Sequence, residues 1–273
     1  MKIDADQVGL VTGAASGIGA AIARALAERG MHIVLLDVEQ TTLQATVARF
    51  LEDGLSVEGI VVDVRDNVEM TLIADSVYAQ RGRIDVLVNN AGVVTTRRPV
   101  WEQSHEDMRW TCEVNYFGVV NGIRAVVPYM VEAGVGHIVT TSSLAGISPI
   151  PGGGNGVYSA TKHAVVGLAE TLRIELDIAA PEVGVTVLFP GPVPTRIKEA
   201  GRNRPAEFSD STPDPGPAPE FGLVMETVPA DVVAQQVVKA IETNQMYVCT
   251  APDVAAMGLA RISNLQAALA QGS

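Results

Sequence analysis

The stretch TGAASGIGAAIARALAERG, residues 12–30, decides how the chain is read. The apolar run ahead of it, VGLV (8–11), has the pattern of a strand buried on both faces. Behind it, IGAAIARALAERG carries helical periodicity and closes on Gly30, a helix-ending signal. The glycines therefore fall at a strand-to-helix turn. Glycine lacks the Cβ that would keep a ligand off the backbone, and the positive end of the helix, with its unpaired N–H groups, faces whatever approaches. Gly13, Ser16, Gly17, Ile18 and Gly19 thus form a candidate cradle for a pyrophosphate. Their spacing, G-x-x-x-G-x-G, differs from the commoner G-x-G-x-x-G fingerprint, and a glycine trio alone is also compatible with a tight turn.

The next apolar run, IVLLD, ends in Asp37, where a carboxylate would accept hydrogen bonds from an adenosine ribose. Taken alone, Asp37 could equally cap the following helix. Joined to the glycine turn in one βαβ unit, it points to a dinucleotide. An adenosine 2′-phosphate would face that carboxylate, and Ala14, Ala15, Ser16, Val38 and Glu39 supply no cation, so NAD is expected over NADP. The Gly-Lys-Ser/Thr of a nucleotide-triphosphate loop is absent.

Outward from this unit, VGLVTG, HIVLLD, SVEGIVVD, IDVLVNN, GHIVTTSS and GVTVLFPG recur as strands, and MYVCTA adds a seventh at an edge. Helices are expected between them over 17–29, 39–53, 66–81, 104–133 and 157–180, then in PADVVAQQVVKAIETN and the tail. The alternation is that of an α/β fold: one Rossmann-type, doubly wound parallel sheet of about seven strands with helices on both faces, as a single domain over 1–273. Apolar residues make up 47% of the chain and aromatics only 4%, so Val, Leu, Ile and Ala must fill the core. The Gly/Pro run PIPGGGNGV (149–157) reads as a loop. Residues 196–226, which include five prolines, read as a lid, because they follow the carboxyl end of the sixth strand.

A net charge of −12 repels nucleic acid and anionic membrane surfaces. No run is apolar enough for a membrane span, and the start lacks the pattern of a signal peptide. Cys112 and Cys249 fit a reducing cytoplasm. His32, His105, His137 and His163 have no metal-ligand spacing, and no metal is expected. Trp101 and Trp110 read as packing residues, Arg97 and Arg98 as a solvated pair, and Val165, Leu168, Ala169, Leu172 and Leu176 as a packing stripe.

YSATK places Tyr158 and Lys162 one helical turn apart, on one face. A phenol titrates near ~10 when unperturbed, and a nearby ammonium favours the phenolate. Such a pair is common by chance. Its company here is TGAASGIG, NNAG (89–92), Asn115, SS (142–143), YSATK and PGPVPT (190–195), in that order. Together these resemble the short-chain dehydrogenase/reductase family over about residues 7–195.

The resemblance implies an NAD(H)-dependent oxidoreductase that interconverts a secondary alcohol and a ketone, as a homotetramer or homodimer. Tyr158 would be the general acid/base, Lys162 would lower its pKa and hold the nicotinamide ribose, Ser143 would orient the reacting oxygen, and Asn115 would hold a water in the proton relay. Asn90, Ala91 and Gly92 would pass the adenosine ribose, and Asp63 with the Val64 backbone would meet adenine. Pro190 and Gly191 would shape a turn that brings the Val193 backbone and Thr195 hydroxyl to the carboxamide. One departure is that Ser143 stands further from Tyr158 than in the family, with the extra length in GGGNG. RNRPAEF and MYVCTAPD are similar to members acting on bulky aryl or alicyclic alcohols. Two rivals remain: an NADPH-linked 3-oxoacyl reductase, opposed by Asp37 and the acidic surface, and a non-catalytic dinucleotide-sensing protein, which needs no phenolate.

Overall fold

Runs of Val, Leu and Ile become fully covered strands because helices close both faces of the sheet. The computed structural model describes residues 1–209 and 225–271. The strands are β1 (Val8–Thr12), β2 (His32–Asp37), β3 (Val57–Val61), β4 (Val86–Asn89), β5 (Gly136–Thr141), β6 (Val183–Phe189) and β7 (Tyr247–Cys249). All pair in parallel, in the order β3-β2-β1-β4-β5-β6-β7, with Leu10 of β1 in register with Val34 of β2 and Leu87 of β4. The expected seven-stranded, doubly wound sheet is present, with β7 at its edge. The order reverses between β1 and β4, and the crevice beyond their carboxyl ends is where ligands of such sheets lie.

The helices are α1 (Gly17–Ala27), α2 (Gln40–Glu52), α3 (Asn67–Arg81), α4 (His105–Cys112), α5 (Gly118–Ala133), α6 (Gly156–Ala179), α7 (Ala230–Thr243) and α8 (Pro252–Ala270). On one face, Ile22 and Leu26 of α1, Phe50 of α2 and Val237 of α7 pack with Leu35 and Val88 of the sheet. On the other, Ile73 of α3, Val126 of α5 and Leu172 of α6 pack with Leu10, Leu87 and Ile138. The expected stripe of α6 is this second face, with Val165, Ala169, Leu172 and Leu176 buried.

Two expectations about the elements need revision. The helix expected over 104–133 is broken by a π turn at Glu113–Phe117, between α4 and α5. A π turn accommodates one extra residue and redirects the side chains it carries, Asn115 among them. Of the 196–226 segment, residues 210–224 lie outside the described residues. Its first part forms two 3-10 turns, Ile197–Asn203 and Ala206–Phe208, and the Phe208 ring is buried beneath the guanidinium groups of Arg65 and Arg109.

Leu26 has no exposed surface, so Leu26→Ala leaves a cavity that the layer between α1 and α7 cannot fully close. The loss of stability is expected to be ~2–5 kcal/mol, read as a lower urea midpoint at unchanged slope.

Candidate active site

At the switch point, the ends of β1 and β4 are tied by one hydroxyl. Thr12 Oγ1 accepts from the backbone N–H of Asn90 at 2.9 Å and of Ala91 at 3.0 Å. The Asn90 amide returns two bonds, to Thr12 O at 3.0 Å and Gly13 O at 3.2 Å. The glycine turn therefore leaves β1 at a fixed angle. Gly13 has φ +64°, and a Cβ there would stand 2.8 Å from the Ala91 Cα. Gly17 has φ +58°, and its Cβ would stand 3.0 Å from Thr195 across the cleft. Ser16 precedes α1 in extended conformation without capping it by its side chain, so the end of the helix is bare. These features fit the diphosphate of a dinucleotide.

The same cleft is lined by Gly13, Ser16, Gly17 and Ile18, by Asp37, Asp63 and Val64, by Asn90, Ala91 and Gly92, and by Tyr158, Lys162, Pro190 and Thr195. Three residues expected at the cofactor also make contacts within the protein. Gly19 lies under the turn, where a Cβ would meet Gly13 O at 2.2 Å, so its part is to let the turn close. Gly191 donates its N–H to Thr250 Oγ1 at 3.0 Å, behind the cleft. Val193 packs against the buried layer of α1 and α7.

The Asp37 carboxylate accepts from the N–H of Ala15 and of Glu39, each at 2.9 Å, which fixes it at the tip of β2. Asp63 is engaged by Arg65, whose guanidinium lies 2.7 Å away and also reaches Glu113 and Glu207. At the opposite end, Lys162 on α6 is 3% exposed and donates to the Thr141 carbonyl at 2.9 Å. No carboxylate among the described residues comes within ion-pairing distance of it. Burial alone pulls its pKa down to about 8. Its Nζ lies over the Tyr158 ring, 5.8 Å from the centroid.

Burial raises the pKa of the Tyr158 phenol, and a hydrogen bond with Ser143 opposes that rise. The direction differs from the one expected of a lysine neighbour, because burial of the phenol outweighs the opposing hydrogen bond. Ser143 itself caps a 3-10 turn (Leu144–Gly146) by accepting from Ala145 N at 3.1 Å. Its neighbour Ser142 turns inward and donates to the Lys162 carbonyl at 2.8 Å, holding α6 to the end of β5.

Asn115 is fully buried. It clasps the backbone of Val93 through both ends of its amide, at 2.8 and 2.9 Å, and donates to Thr161 Oγ1 at 3.2 Å. A Cβ on Gly92 would stand 3.3 Å from Asn115 Oδ1 and 3.4 Å from Lys162 Nζ, so both groups lie beside that glycine.

Other groups reach the site without a local signal in the sequence. Arg196, Arg202 and Asn203 line the Asp37 end of the cleft and converge on Glu39, though some 160 positions separate them from it. The absence of cations next to Asp37 in the sequence is thus made up from across the fold. Arg97, read as a solvated side chain, donates to the carbonyls of Pro151 and Gly153, and Arg98 N–H bonds Gly154 O at 2.8 Å. They pin the glycine-rich rim between Ser143 and Tyr158. Trp110 is buried and lines the cleft, whereas Trp101 is exposed. Among the described residues no group of three or more His, Cys, Asp or Glu could hold a metal ion. None of the described helices is long and apolar enough to cross a membrane.

The sequence pattern described as short chain dehydrogenase matches residues 7–205. The chain is 33% identical over 258 residues to the C alpha-dehydrogenase of a Sphingobium species, covering 93% of this chain and 83% of that one. It is also 33% identical over 246 residues to the 1-deoxy-11-beta-hydroxypentalenate dehydrogenase of Streptomyces avermitilis, covering 89% and 84%. In three dimensions it is similar to a short chain dehydrogenase/reductase from Burkholderia phymatum, whose crystal structure is a complex with NAD. There the TM-score is 0.89 at 33% identity, covering 97% of this chain and 96% of that one.

A lysine whose pKa is depressed in the folded chain binds its proton more weakly there than when unfolded. Its burial therefore costs stability below pH about 8, a cost relieved as pH rises toward 10.5. Lys162→Met is expected to melt at a higher temperature than the parent at pH 7, with the difference shrinking between pH 8 and 10. Scanning calorimetry across that range checks both the sign and the window.

Proposed function

The chain belongs to the short-chain dehydrogenase/reductase family, and we propose that within it this protein is an NAD(H)-dependent oxidoreductase interconverting a secondary alcohol and a ketone. The observation that carries this reading is the unpaired ammonium of Lys162, buried in the cleft beside the Tyr158 phenol. A fold keeps such a charge only where something uses it. A protein that merely senses a dinucleotide has no use for it, nor for a phenol in contact with a serine.

The bound nicotinamide supplies the hydride carrier and, when oxidised, a positive charge beside the phenol. Tyr158 Oη gives its proton to the ketone oxygen in reduction and takes it back from the alcohol in oxidation. Burial keeps this phenol in its acid form in the chain alone, which suits the reductive direction; oxidation needs the added positive charge to release the proton. Ser143 Oγ donates to the reacting oxygen and fixes its distance from Oη. Lys162 Nζ, with one donor spent on Thr141, has two left for the nicotinamide ribose and the relay. Asn115 holds Val93 and Thr161 in place behind them and orders the relay water.

Asp37 accepts the adenosine ribose hydroxyls, which favours NAD over NADP, and Asp63 with Val64 borders adenine. Thr195 and the Val193 backbone meet the carboxamide, Pro190 and Gly191 shaping their turn. The substrate is a bulky alicyclic or aryl alcohol; the Streptomyces relative is named as the dehydrogenase of a hydroxypentalenate. This substrate sits beside the described start of the segment that follows β6, residues 196–209, the lid expected of this single domain. The rim built by Arg97 on the glycine-rich loop borders it. Ile174 and Ile178 of α6 are 65% and 85% exposed on the side away from the core, which supports a homodimer or homotetramer. The free Cys112 and Cys249 suit the cytoplasm.

Tyr158→Phe is expected to lower kcat by ~10²–10⁴-fold while leaving NADH binding within about threefold. Absorbance of NADH with a panel of secondary alcohols and ketones, paired with a fluorescence titration, checks it. Equal turnover by both proteins removes Tyr158 from its role, and binding without turnover in the parent favours the sensor reading.

A further inference from the structure

Glu39 stands two residues beyond Asp37, and its own N–H donates to the Asp37 carboxylate at 2.9 Å, so the two acids share one turn at the adenosine end of the cleft. Its side chain is only 14% exposed, against 41% for Arg196 and 27% for Arg202. One carboxylate oxygen receives Arg196 Nη1 at 3.1 Å and Thr42 Oγ1 at 3.2 Å. The other receives Arg202 Nε at 3.1 Å, Asn203 Nδ2 at 2.9 Å and a second guanidinium bond from Arg202 Nη2. Burial pushes this carboxyl up, but the bonds and charges of Arg202, Asn203 and Arg196 carry its pKa down to about 2. It is therefore a carboxylate at neutral pH.

We propose that Glu39 sets the dinucleotide preference of the cleft, by occupying two guanidinium groups that would otherwise receive an adenosine 2′-phosphate. The inference rests on the reading that the adenosine ribose lies at Asp37. Each cation there is matched: Arg202 by Glu39, and Arg196 by Glu39 and by Glu199, whose carboxylate lies 3.6 Å from Arg196 Nε. A 2′-phosphate brings further negative charge to a place with no unmatched cation. It also finds the planar, two-pronged donors of Arg202 already spent on another anion of the same geometry. Without the Glu39 charge, Arg202 loses its carboxylate partner and can turn into the cleft from a segment the fold has already brought there, while Arg196 keeps Glu199. Sequence alone hides this. The acid is local to the nucleotide motif, while its partners come from the other end of the domain.

The test uses adenosine 2′,5′-bisphosphate and AMP, which report on this end of the cleft without any turnover, in calorimetric titrations of the parent and of Glu39→Gln. NADPH and NADH are titrated in parallel by fluorescence. Glu39→Gln keeps the shape and removes the charge. It is expected to raise the affinity ratio of the 2′-phosphorylated over the unphosphorylated ligand by ~tenfold or more, the scale of one unscreened charge pair near a protein surface. Adding Arg202→Ala to Glu39→Gln should abolish the gain. A ratio within about threefold of the parent's, or an equal loss of both ligands, overturns the proposal, since a merely structural clasp moves both alike. Should Glu39→Gln melt early, Glu39→Ser is titrated instead, with the same criterion. A parent that binds NADPH as tightly as NADH defeats the NAD preference proposed above. The change of ratio on substitution is judged separately from it.

Discussion

The structure is organised around an ammonium held in the protein interior with a single carbonyl for company. Lys162 Nζ reaches Thr141 O at the end of β5, Ser142 anchors the lysine's own backbone, and a Cβ on Gly92 would stand 3.4 Å from the ammonium. Removing a charge from water without a counter-ion is unfavourable by several kcal/mol. What offsets it is remote: two apolar layers, one on each face of a seven-stranded sheet, built from residues with almost no exposed surface. The strained place and the stabilising places are thus separated. α6 joins them, since it carries Tyr158 and Lys162 at its start and Val165, Ala169, Leu172 and Leu176 along the buried face that follows.

That separation explains which parts of the site could be seen in the sequence. The glycine turn, Asp37 and the Tyr158–Lys162 pair were legible because each depends on spacing within one element or one βαβ unit. The strands were legible for the same reason, being continuous apolar runs between turn residues. Asn115 could be singled out only through family likeness, because nothing in the composition of 104–133 marks the π turn that carries it. An inserted residue in a helix shifts the facing of its neighbours without altering their periodicity enough to notice. Gly19 shows the converse. Its place in the motif was clear, but only the packing tells that the turn closes against it.

Long-range pairing escaped the sequence altogether. Arg97 looks solvated because its partners are backbone carbonyls of a loop more than fifty positions away. Arg65 appears next to Asp63, yet the same guanidinium also gathers Glu113 and Glu207 and covers the Phe208 ring. Such clusters depend on how the ends of β2, β3 and β6 converge, which is a property of sheet order rather than of any local pattern. They matter for function because they fix the segment that follows β6 against the cleft with ion pairs, on a molecule whose other surfaces are predominantly acidic.

The acidity itself poses the last question, since a chain of net charge −12 must receive an anion. Its arginines at the cleft do not supply a positive field, for each is matched: Arg65 by Asp63, Arg196 and Arg202 by Glu39. The glycine turn, residues 12–19, contains no charged side chain at all. What remains is the backbone, as N–H groups at the uncapped start of α1 and the partial positive charge of the helix end. These dipoles act over one turn and require close approach, which is why the two left-handed glycines are needed at Gly13 and Gly17. Recognition of this kind discriminates by fit, because a dipole end attracts only an anion that the missing Cβ atoms allow to reach it. A lysine or arginine in the turn would bind many phosphates more strongly and choose among them less well.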